Sequence, residues 1–334
     1  MLTITRLKRF EGQWRSETLE TLPNEASGDS ILWVDAQDPT AVEVEQLQNY
    51  FELENLDLSE LSEAGRRSRI EENQDLMSCF VSFPSRDHFL ADSKNDWISL
   101  YACKDWVVSI HKGYSSITCE IFRKISTHGY SSLSAAPTAD ILSYIFLDLV
   151  TNECYHVSDM VHDRLQGISQ EAAGAFRRKP RESNRKLSLD IANARDQVLA
   201  LRQSVGPLRE LVGRAARGEF AVISSSTLPR FEDLYDRAIS LIEVVDTHRE
   251  EIHDIGDILI NVQTLTTNNI IRVLTIISAI FLPLTLIAGI YGTNFAKGFF
   301  EPGSNSAIGF YGMIASMAII AVGLISVFRR KGWL

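Results

Sequence analysis

The chain has 334 residues, of which 45% are hydrophobic and 23% charged, and its formal net charge at pH 7 is −10. This composition is typical of a globular protein and excludes both a disordered chain and a disulfide-stapled miniprotein. The charge is uneven, because every Asp and Glu except Glu301 precedes residue 267, whereas the remaining stretch is apolar and basic. An acidic body with a basic apolar tail argues against a nucleic-acid partner and favours a lipid bilayer.

The cysteines and the N-terminus predict a reducing compartment for the first part of the chain. Cys79, Cys103, Cys119 and Cys154 are scattered without a CxxC pair, which favours free thiols over a disulfide framework. The first residues, MLTITRLKRFEGQWRSE, lack an apolar core of signal-peptide length. We therefore expect this part to remain in the cytoplasm.

Residues 1–136 predict a cytoplasmic α/β domain. Short segments rich in β-branched and aromatic residues predict strands, and one segment, residues 39–51, has helical spacing instead. The predicted strands cover residues 31–35, 76–83, 97–103 and 106–111.

Residues 137–266 predict a cytoplasmic helical stalk. The first helix is expected over 140–176 with Thr138 as its N-cap, and the run KPRESNRK at 179–186 is expected to form a turn. A second helix follows over 184–218, bent at Pro207, whose nitrogen cannot donate a hydrogen bond.

The third stalk helix is expected to continue into the membrane. No proline separates Pro229 from Pro283, so one helix can run roughly 80 Å at about 1.5 Å per residue. Its first half has a heptad stripe that predicts packing against other helices. The stripe consists of Leu234, Ala238, Leu241, Val245, His248, Ile252, Ile255, Leu259 and Val262.

Two uncharged runs near the end of the chain, 273–291 and 308–328, have the length of transmembrane helices. We assign 267–292 to the first spanning helix, 293–307 to an external loop, 308–328 to the second helix and 329–334 to a basic tail. Arg272 precedes the first run and Arg329, Arg330 and Lys331 follow the second, which predicts a hairpin with both chain termini in the cytoplasm.

The first span carries a second stripe of mostly small or polar residues at the same spacing. It consists of Asn268, Ile271, Thr275, Ser278, Leu282, Thr285, Gly289 and Gly292. Such a stripe fits a water-filled pore, with Leu282 as an apolar constriction, but it also fits an ordinary helix-packing seam. A pore on this stripe requires several copies around an axis, because one chain supplies only two spans.

Several segments resemble the CorA family of metal-ion transporters. The segment TNNIIRVLTIISAIFLPLTLIAGIYGTNF, residues 267–295, is similar to that family's first span and filter, and four other segments are similar in the family's order. These are WVDAQDPT (33–40), SVGPLREL (204–211), FEDLYDRAISLIEVVDTHRE (231–250) and FRRKGWL (328–334). The resemblance implies a funnel-shaped homopentamer whose pore is lined by the first span.

The chain departs from the family pattern at its filter. The family signature is Gly-Met-Asn, whereas this chain has Gly292, Thr293 and Asn294, and the external loop keeps a single acid, Glu301, without the Met-Pro-Glu-Leu element. The zinc-transporting ZntB-like branch also varies the middle residue of the triplet. The resemblance therefore implies Mg²⁺ or Zn²⁺ as the transported ion without deciding between them.

The resemblance also implies a regulatory cation site at Asp233, whereas the histidines suggest no site. His156 with His162, and His248 with His253, lack the i, i+4 zinc spacing and a companion cysteine, so we interpret them as structural or solvated. No His or Cys occurs in residues 267–334, which argues against direct coordination of a dehydrated Zn²⁺ by side chains in the pore.

Two functions remain in view. No GxxxxGK[ST], GxSxG, HExxH or Rossmann fingerprint occurs, so an enzyme is not expected, and no cofactor is expected beyond a transported or regulatory divalent cation. The first function is divalent cation transport by a homo-oligomer. The second is a membrane scaffold or regulator that keeps this architecture without conducting ions.

Overall fold

The computed structural model describes most of the chain. The described residues are 1–10, 13–23, 30–53, 67–73, 75–86, 89, 95–113, 115–128, 138–175, 180–292 and 306–333. They form two compact units, one of Met1–Ala173 with Arg185–Gly256 and the other of Gly174–Asn184 with Asp257–Leu334.

Thirteen elements occur along the described residues. The strands are β1 (Leu2–Phe10), β2 (Gln13–Leu19), β3 (Ser30–Gln37), β4 (Arg69–Asn73), β5 (Leu76–Pro84), β6 (Asn95–Ala102) and β7 (Trp106–His111). The helices are α1 (Ala41–Phe51), α2 (Ser116–His128), α3 (Ala139–Ala175), α4 (Pro180–Ala216), α5 (Leu228–Gly292) and α6 (Ser306–Arg330).

The first unit contains one seven-stranded sheet in the order β2-β1-β3-β7-β6-β5-β4. Only the β3–β7 pair is parallel among these strands, and it aligns Val34 with Val108 at the centre of the sheet. Both faces of the sheet are covered, as expected when a parallel pair lies at its centre. The predicted α/β domain is therefore confirmed.

The two sheet faces bury different side chains because residues alternate along β3. Val34 and its neighbours pack with Leu47 and Phe51 of α1 on one face. On the other face Trp33 stacks on Phe122 of α2 at a centroid distance of 4.2 Å and meets Phe146 of α3 edge to face. Helices thus cover the sheet on both sides.

Helices α3 and α4 pack against the first half of α5. Every member of the predicted heptad stripe, from Leu234 to Val262, is buried. The Tyr155 hydroxyl on α3 donates to the Arg237 carbonyl at 2.7 Å, and Arg202 on α4 pairs with Asp246 at 2.7 Å. These contacts agree with the predicted packing of the heptad stripe against other helices.

Gly213 of α4 lies close to the Tyr235 ring of α5. A β-carbon at Gly213 would lie 2.8 Å from the Cε2 atom of Tyr235 and 3.2 Å from its Cδ2 atom. The first contact is closer than carbon atoms pack, so a side chain at position 213 would require the Tyr235 ring to move.

Two details of the sequence-based assignment were wrong. The turn expected at 179–186 is mostly helical, because α4 begins at Pro180. Proline is well tolerated in a first helical turn, where its missing N–H has no partner to lose. Strands β1, β2 and β4 and helix α2 were not predicted at all.

The N-terminus of α3 is anchored by a buried carboxylate. Asp140, 2% exposed, accepts hydrogen bonds from the Ser224 backbone N–H at 3.0 Å and the Ser224 hydroxyl at 2.7 Å. Burial alone would raise the pKa of Asp140, but hydrogen bonds from Thr138, Ser224 and Thr227 outweigh it and lower the pKa. The segment before α5 is thereby tied to the start of α3.

The anchor predicts a pH-dependent stability. A lowered folded-state pKa stabilises the fold above the unfolded-state pKa of about 3.9, and this contribution is lost as pH falls through the folded-state value. Asp140→Asn should cost about 1.5–3 kcal/mol at neutral pH, as expected for hydrogen bonds to a charged group. The difference in thermal midpoint from the wild type, measured by circular dichroism on the full chain in detergent, should shrink below pH about 4.

The matched control is Asp159→Asn, which changes an exposed acid on the same helix. It should leave the thermal midpoint nearly unchanged. A midpoint difference for Asp140→Asn that stays constant from neutral pH to pH 3 would contradict the assigned role of the charge.

Candidate functional site

The end of α5 and the segment Tyr311–Arg330 of α6 have the composition of membrane-spanning helices. Among the described residues, two helices are long and apolar enough to cross a bilayer, with mean hydropathy of 2.5 and 2.1 in their most apolar windows. Only 6% of the apolar window in α5 is buried within the chain, and 0% of the window in α6 is buried. Such surfaces need lipid or other protein chains to cover them.

The predicted polar stripe on α5 is exposed from Asn268 to Gly289. The exposed members are Asn268, Ile271, Thr275, Ser278, Leu282, Thr285 and Gly289. Leu282 is 70% exposed, although it is a large apolar residue in the middle of the span. The surface of this single chain therefore leaves the stripe open to contact with ions, lipid or other copies.

The opposite face of the same helix is covered. Ile276 is 6% exposed, and Ile280 and Leu284 are half-buried. Leu282 is two residues from both Ile280 and Leu284, which corresponds to about 200° around an α-helix. The stripe and the covered face thus point in nearly opposite directions.

The exposed surface is not uniform around the helix. Large apolar side chains, including Leu274, Ile277, Phe281 and Leu286, are 49% to 63% exposed beside the stripe. Their bulk suits contact with lipid, whereas small and polar side chains suit a helix interface or a wet pore. The chemical difference within the exposed arc, rather than exposure alone, distinguishes the stripe.

Threonine hydroxyls of the stripe are partly satisfied within the helix. Thr275 donates to the Ile271 carbonyl at 2.8 Å, and Thr285 donates to the Phe281 carbonyl at 2.6 Å. Each hydroxyl oxygen retains lone pairs that can accept further hydrogen bonds. The stripe therefore presents acceptor oxygens rather than free donors at these two positions.

The predicted filter lies at the edge of the described residues. Gly292 is the last residue of α5, whereas Thr293, Asn294 and the loop acid Glu301 lie outside the described residues. The structure thus places the first residue of the triplet at the end of the spanning helix. The roles of all four residues remain predictions.

Asp233 is exposed near the start of α5, between the buried Phe231 and Leu234. It is not a member of the buried stripe that packs against α3 and α4. The position is accessible to a cation or to another copy of the chain.

The structure brings together two histidines that the sequence analysis had treated separately. His162 on α3 and His248 on α5 have ring centroids 5.5 Å apart, and Glu251 on α5 lies beside both. Burial lowers the pKa of His248, although the Glu251 carboxylate opposes this effect. The sequence contained one signal of this cluster. His248 is the only histidine on an otherwise apolar heptad stripe, and the acid Glu251 follows it by three residues.

The two buried thiols are unsuited to a reactive site. Cys79 and Cys154 are buried, and burial raises the pKa of both. A buried protonated thiol is a poor nucleophile and a poor metal ligand. Cys103 is half-buried and Cys119 is exposed, and the structure describes all four cysteines as free, as predicted.

Comparisons with known proteins agree with this architecture. Residues 28–330 match the model of a family described as CorA-like Mg²⁺ transporter protein. The complete structure of the CorA magnesium transporter from Methanocaldococcus jannaschii superposes with a TM-score of 0.80 at 22% identity, covering 99% of this chain and 98% of that one. The likeness extends over the sheet, the long helices and both apolar helices.

Two curated relatives differ in the metal that they are named for. The cobalt/magnesium transport protein CorA of Thermotoga maritima is 24% identical, over 87% of this chain and 80% of that protein. The zinc transport protein ZntB of Pectobacterium carotovorum is 23% identical over 43% of each chain. Because the family model covers nearly the whole sequence, this chain belongs to the CorA-like Mg²⁺ transporter family.

Proposed function

We propose that this protein transports divalent cations across the cytoplasmic membrane through a central pore lined by α5 of several identical chains. The observation that carries the proposal is the exposed polar stripe that lies opposite the covered face at Ile276. A helix surrounded only by lipid gains nothing from Asn268, Thr275, Ser278 and Thr285 on one line. Transport, rather than catalysis, is also the activity for which the family is named.

The chemistry of the stripe suits a hydrated cation. Water bound to Mg²⁺ directs its hydrogens outward, so the pore wall must offer hydrogen-bond acceptors, and Mg²⁺ gives up its water reluctantly. Thr275 and Thr285 offer acceptor oxygens because their protons are already donated to backbone carbonyls. Leu282 interrupts this polar line and would form an apolar constriction that impedes a hydrated ion.

A closed path requires several copies of the chain. One stripe covers only part of the wall of a pore, and symmetric copies around an axis supply the rest. The family resemblance favours a homopentamer in the lipid bilayer. In this assembly both chain termini are cytoplasmic and residues 293–307 face outward.

The ion entrance is assigned to Gly292, Thr293, Asn294 and the loop acid Glu301. A glycine at the helix end permits a bend, and an Asn side chain supplies an amide oxygen. These oxygen donors accept a hydrated ion without selecting zinc, which prefers His and Cys. Relatives named for magnesium, cobalt and zinc support Mg²⁺ or Zn²⁺ as the transported ion.

Reconstitution of the purified protein in liposomes tests the proposal. With an ion-sensitive dye inside, the wild type should admit Mg²⁺ or Zn²⁺ down its gradient. Leu282→Ala should raise the flux several-fold, because removing the apolar side chain allows water and the hydrated ion to pass. Competition between the two metals then ranks them as transported ions.

Ile280→Ala is the matched control, since Ile280 is an apolar residue of the same span on the covered face. Its flux should remain near the wild-type value. A folded protein that conducts no divalent ion in either form would leave the scaffold function as the better explanation. Equal flux in Leu282→Ala and the wild type would remove Leu282 from the pore.

Thiol labelling tests which face lines the pore. Single cysteines from 268 to 289 should react with a charged, water-soluble thiol reagent at Thr275, Ser278, Leu282, Thr285 and Gly289, because only a water-filled path admits the reagent. Measurement by mass shift gives the labelled fraction at each position. The background should replace only Cys103 and Cys119, since Cys79 and Cys154 are buried.

Cysteines at Ile276, Ile280 and Leu284 are the matched negative positions for this labelling. They should remain unlabelled in the folded oligomer. Labelling that follows these positions instead of the stripe would identify the stripe as a packing seam.

Regulation through Asp233 gives a separate prediction. A divalent cation bridging Asp233 to an acidic surface of a neighbouring copy would offset their repulsion and hold the pore closed. Asp233→Ala should therefore conduct at cytoplasmic-side Mg²⁺ concentrations that silence the wild type. The measurement is liposome flux as a function of Mg²⁺ on that side.

Glu232→Ala removes the adjacent exposed acid and serves as the control. It should retain the wild-type dependence on Mg²⁺. If Asp233→Ala also retains it, Asp233 has no part in gating.

A further inference from the structure

Three side chains from two helices converge at one point in the first compact unit. The Nδ1 atom of His162 on α3 lies 3.7 Å from Oε2 of Glu251, and the Nδ1 atom of His248 on α5 lies 3.6 Å from the same oxygen. The three potential ligand atoms all lie within 4.8 Å of one another. In each histidine, Nδ1 is therefore the ring nitrogen that faces Oε2 of Glu251.

His248 is the unusual member of this cluster. It is 4% exposed, and among the described residues its Nδ1 atom has no hydrogen-bond partner. A buried polar atom without a partner is uncommon and costs stability. Its distance from Glu251 Oε2 is too long for a hydrogen bond, so the carboxylate does not satisfy it directly.

The other nitrogen of each ring already has a partner. Nε2 of His248 lies 3.0 Å from the Ser158 hydroxyl, and Nε2 of His162 lies 2.9 Å from the side-chain amide of Gln166. The Ser158 hydroxyl can accept a hydrogen bond from Nε2–H of His248, and a half-turn of the Gln166 amide would present its oxygen to Nε2–H of His162. Such outer contacts orient histidines whose remaining nitrogen binds a metal.

We propose that His162, His248 and Glu251 bind one transition-metal cation of the zinc class through the two Nδ1 atoms and the Glu251 carboxylate. In a tetrahedral zinc site with bonds near 2.1 Å, neighbouring ligand atoms are about 3.4 Å apart. The distances from Glu251 to the two histidines exceed this value by only a few tenths of an ångström. The three ligand atoms lie within 4.8 Å of one another, so the side chains must move inward, and the two histidines towards each other, to complete the geometry.

The chemistry of the site favours zinc over magnesium. Imidazole nitrogen is a ligand for Zn²⁺, Co²⁺ and Ni²⁺, whereas Mg²⁺ takes oxygen ligands. The side chains of His162 and Glu251 are 39% and 38% exposed, so an ion can enter from solvent and keep a water as its fourth ligand. The site is separate from the stripe and from Asp233, and its occupancy does not depend on whether the pore conducts.

Metal binding by the purified full chain in detergent tests the proposal, with ZnCl₂ as the probe in isothermal titration calorimetry. The wild type should bind one more Zn²⁺ per chain than His162→Ala or Glu251→Gln, or should bind it at least about ten-fold more tightly. Co²⁺ added in place of Zn²⁺ should give a visible absorption band that both variants lose. Excess Mg²⁺ should not displace either metal.

His156→Ala and Glu250→Gln are the matched controls, since each changes an exposed residue of the same type on the same helix. Both should bind zinc as the wild type does. His162→Ala avoids the core, so its loss of binding cannot be ascribed to a failure to fold, and circular dichroism verifies this. Wild-type zinc stoichiometry and affinity in both site variants, equal losses in the controls, or displacement by Mg²⁺ would each overturn the proposal.

Discussion

A backbone that crosses a bilayer must satisfy its own hydrogen bonds, and α5 meets this constraint over 65 residues without interruption of the helix. At about 1.5 Å per residue, the helix is roughly 100 Å long. One continuous element thus carries a buried apolar stripe in its first half and an exposed polar stripe in its second. The heptad spacing common to both stripes makes each of them a single face of the helix.

Pro283 is the one position in the span where this constraint is relaxed. Proline has no N–H, so the carbonyl of Ala279 receives no helical hydrogen bond from it. Membrane helices tolerate such a position when another group or water reaches the carbonyl. Because Pro283 adjoins Leu282, the relaxed turn coincides with the apolar constriction proposed for the pore.

The sequence predicted elements whose stabilising residues lie close together along the chain. The central strands β3, β5, β6 and β7 are rich in buried apolar residues, and all four were predicted with small errors at their ends. Strand β4, with the sequence RIEEN, buries only Ile70 and forms because it pairs with β5. Edge strands of this kind depend on tertiary pairing more than on their own composition.

The candidate sites also differ in whether they depend on residues close together along the chain or on contacts between distant segments. The stripe from Asn268 to Gly289 lies on one helix, so its spacing alone predicted which residues share a face. The cluster of His162, His248 and Glu251 depends on how α3 packs against α5, and helical spacing within one segment does not encode that contact. Pore formation depends on contacts between chains, which follow from neither the sequence of one chain nor its fold.

The close contact at Gly213 also has a consequence for sequence variation. A β-carbon there would lie 2.8 Å from the Tyr235 ring, so the packing of α4 against this ring depends on the absence of a side chain. Even alanine, which is ordinarily the mildest helical substitution, would force the two helices apart or the ring out of its place. A side chain at position 213 therefore requires the Tyr235 ring to move or residue 235 to change, which couples the two positions.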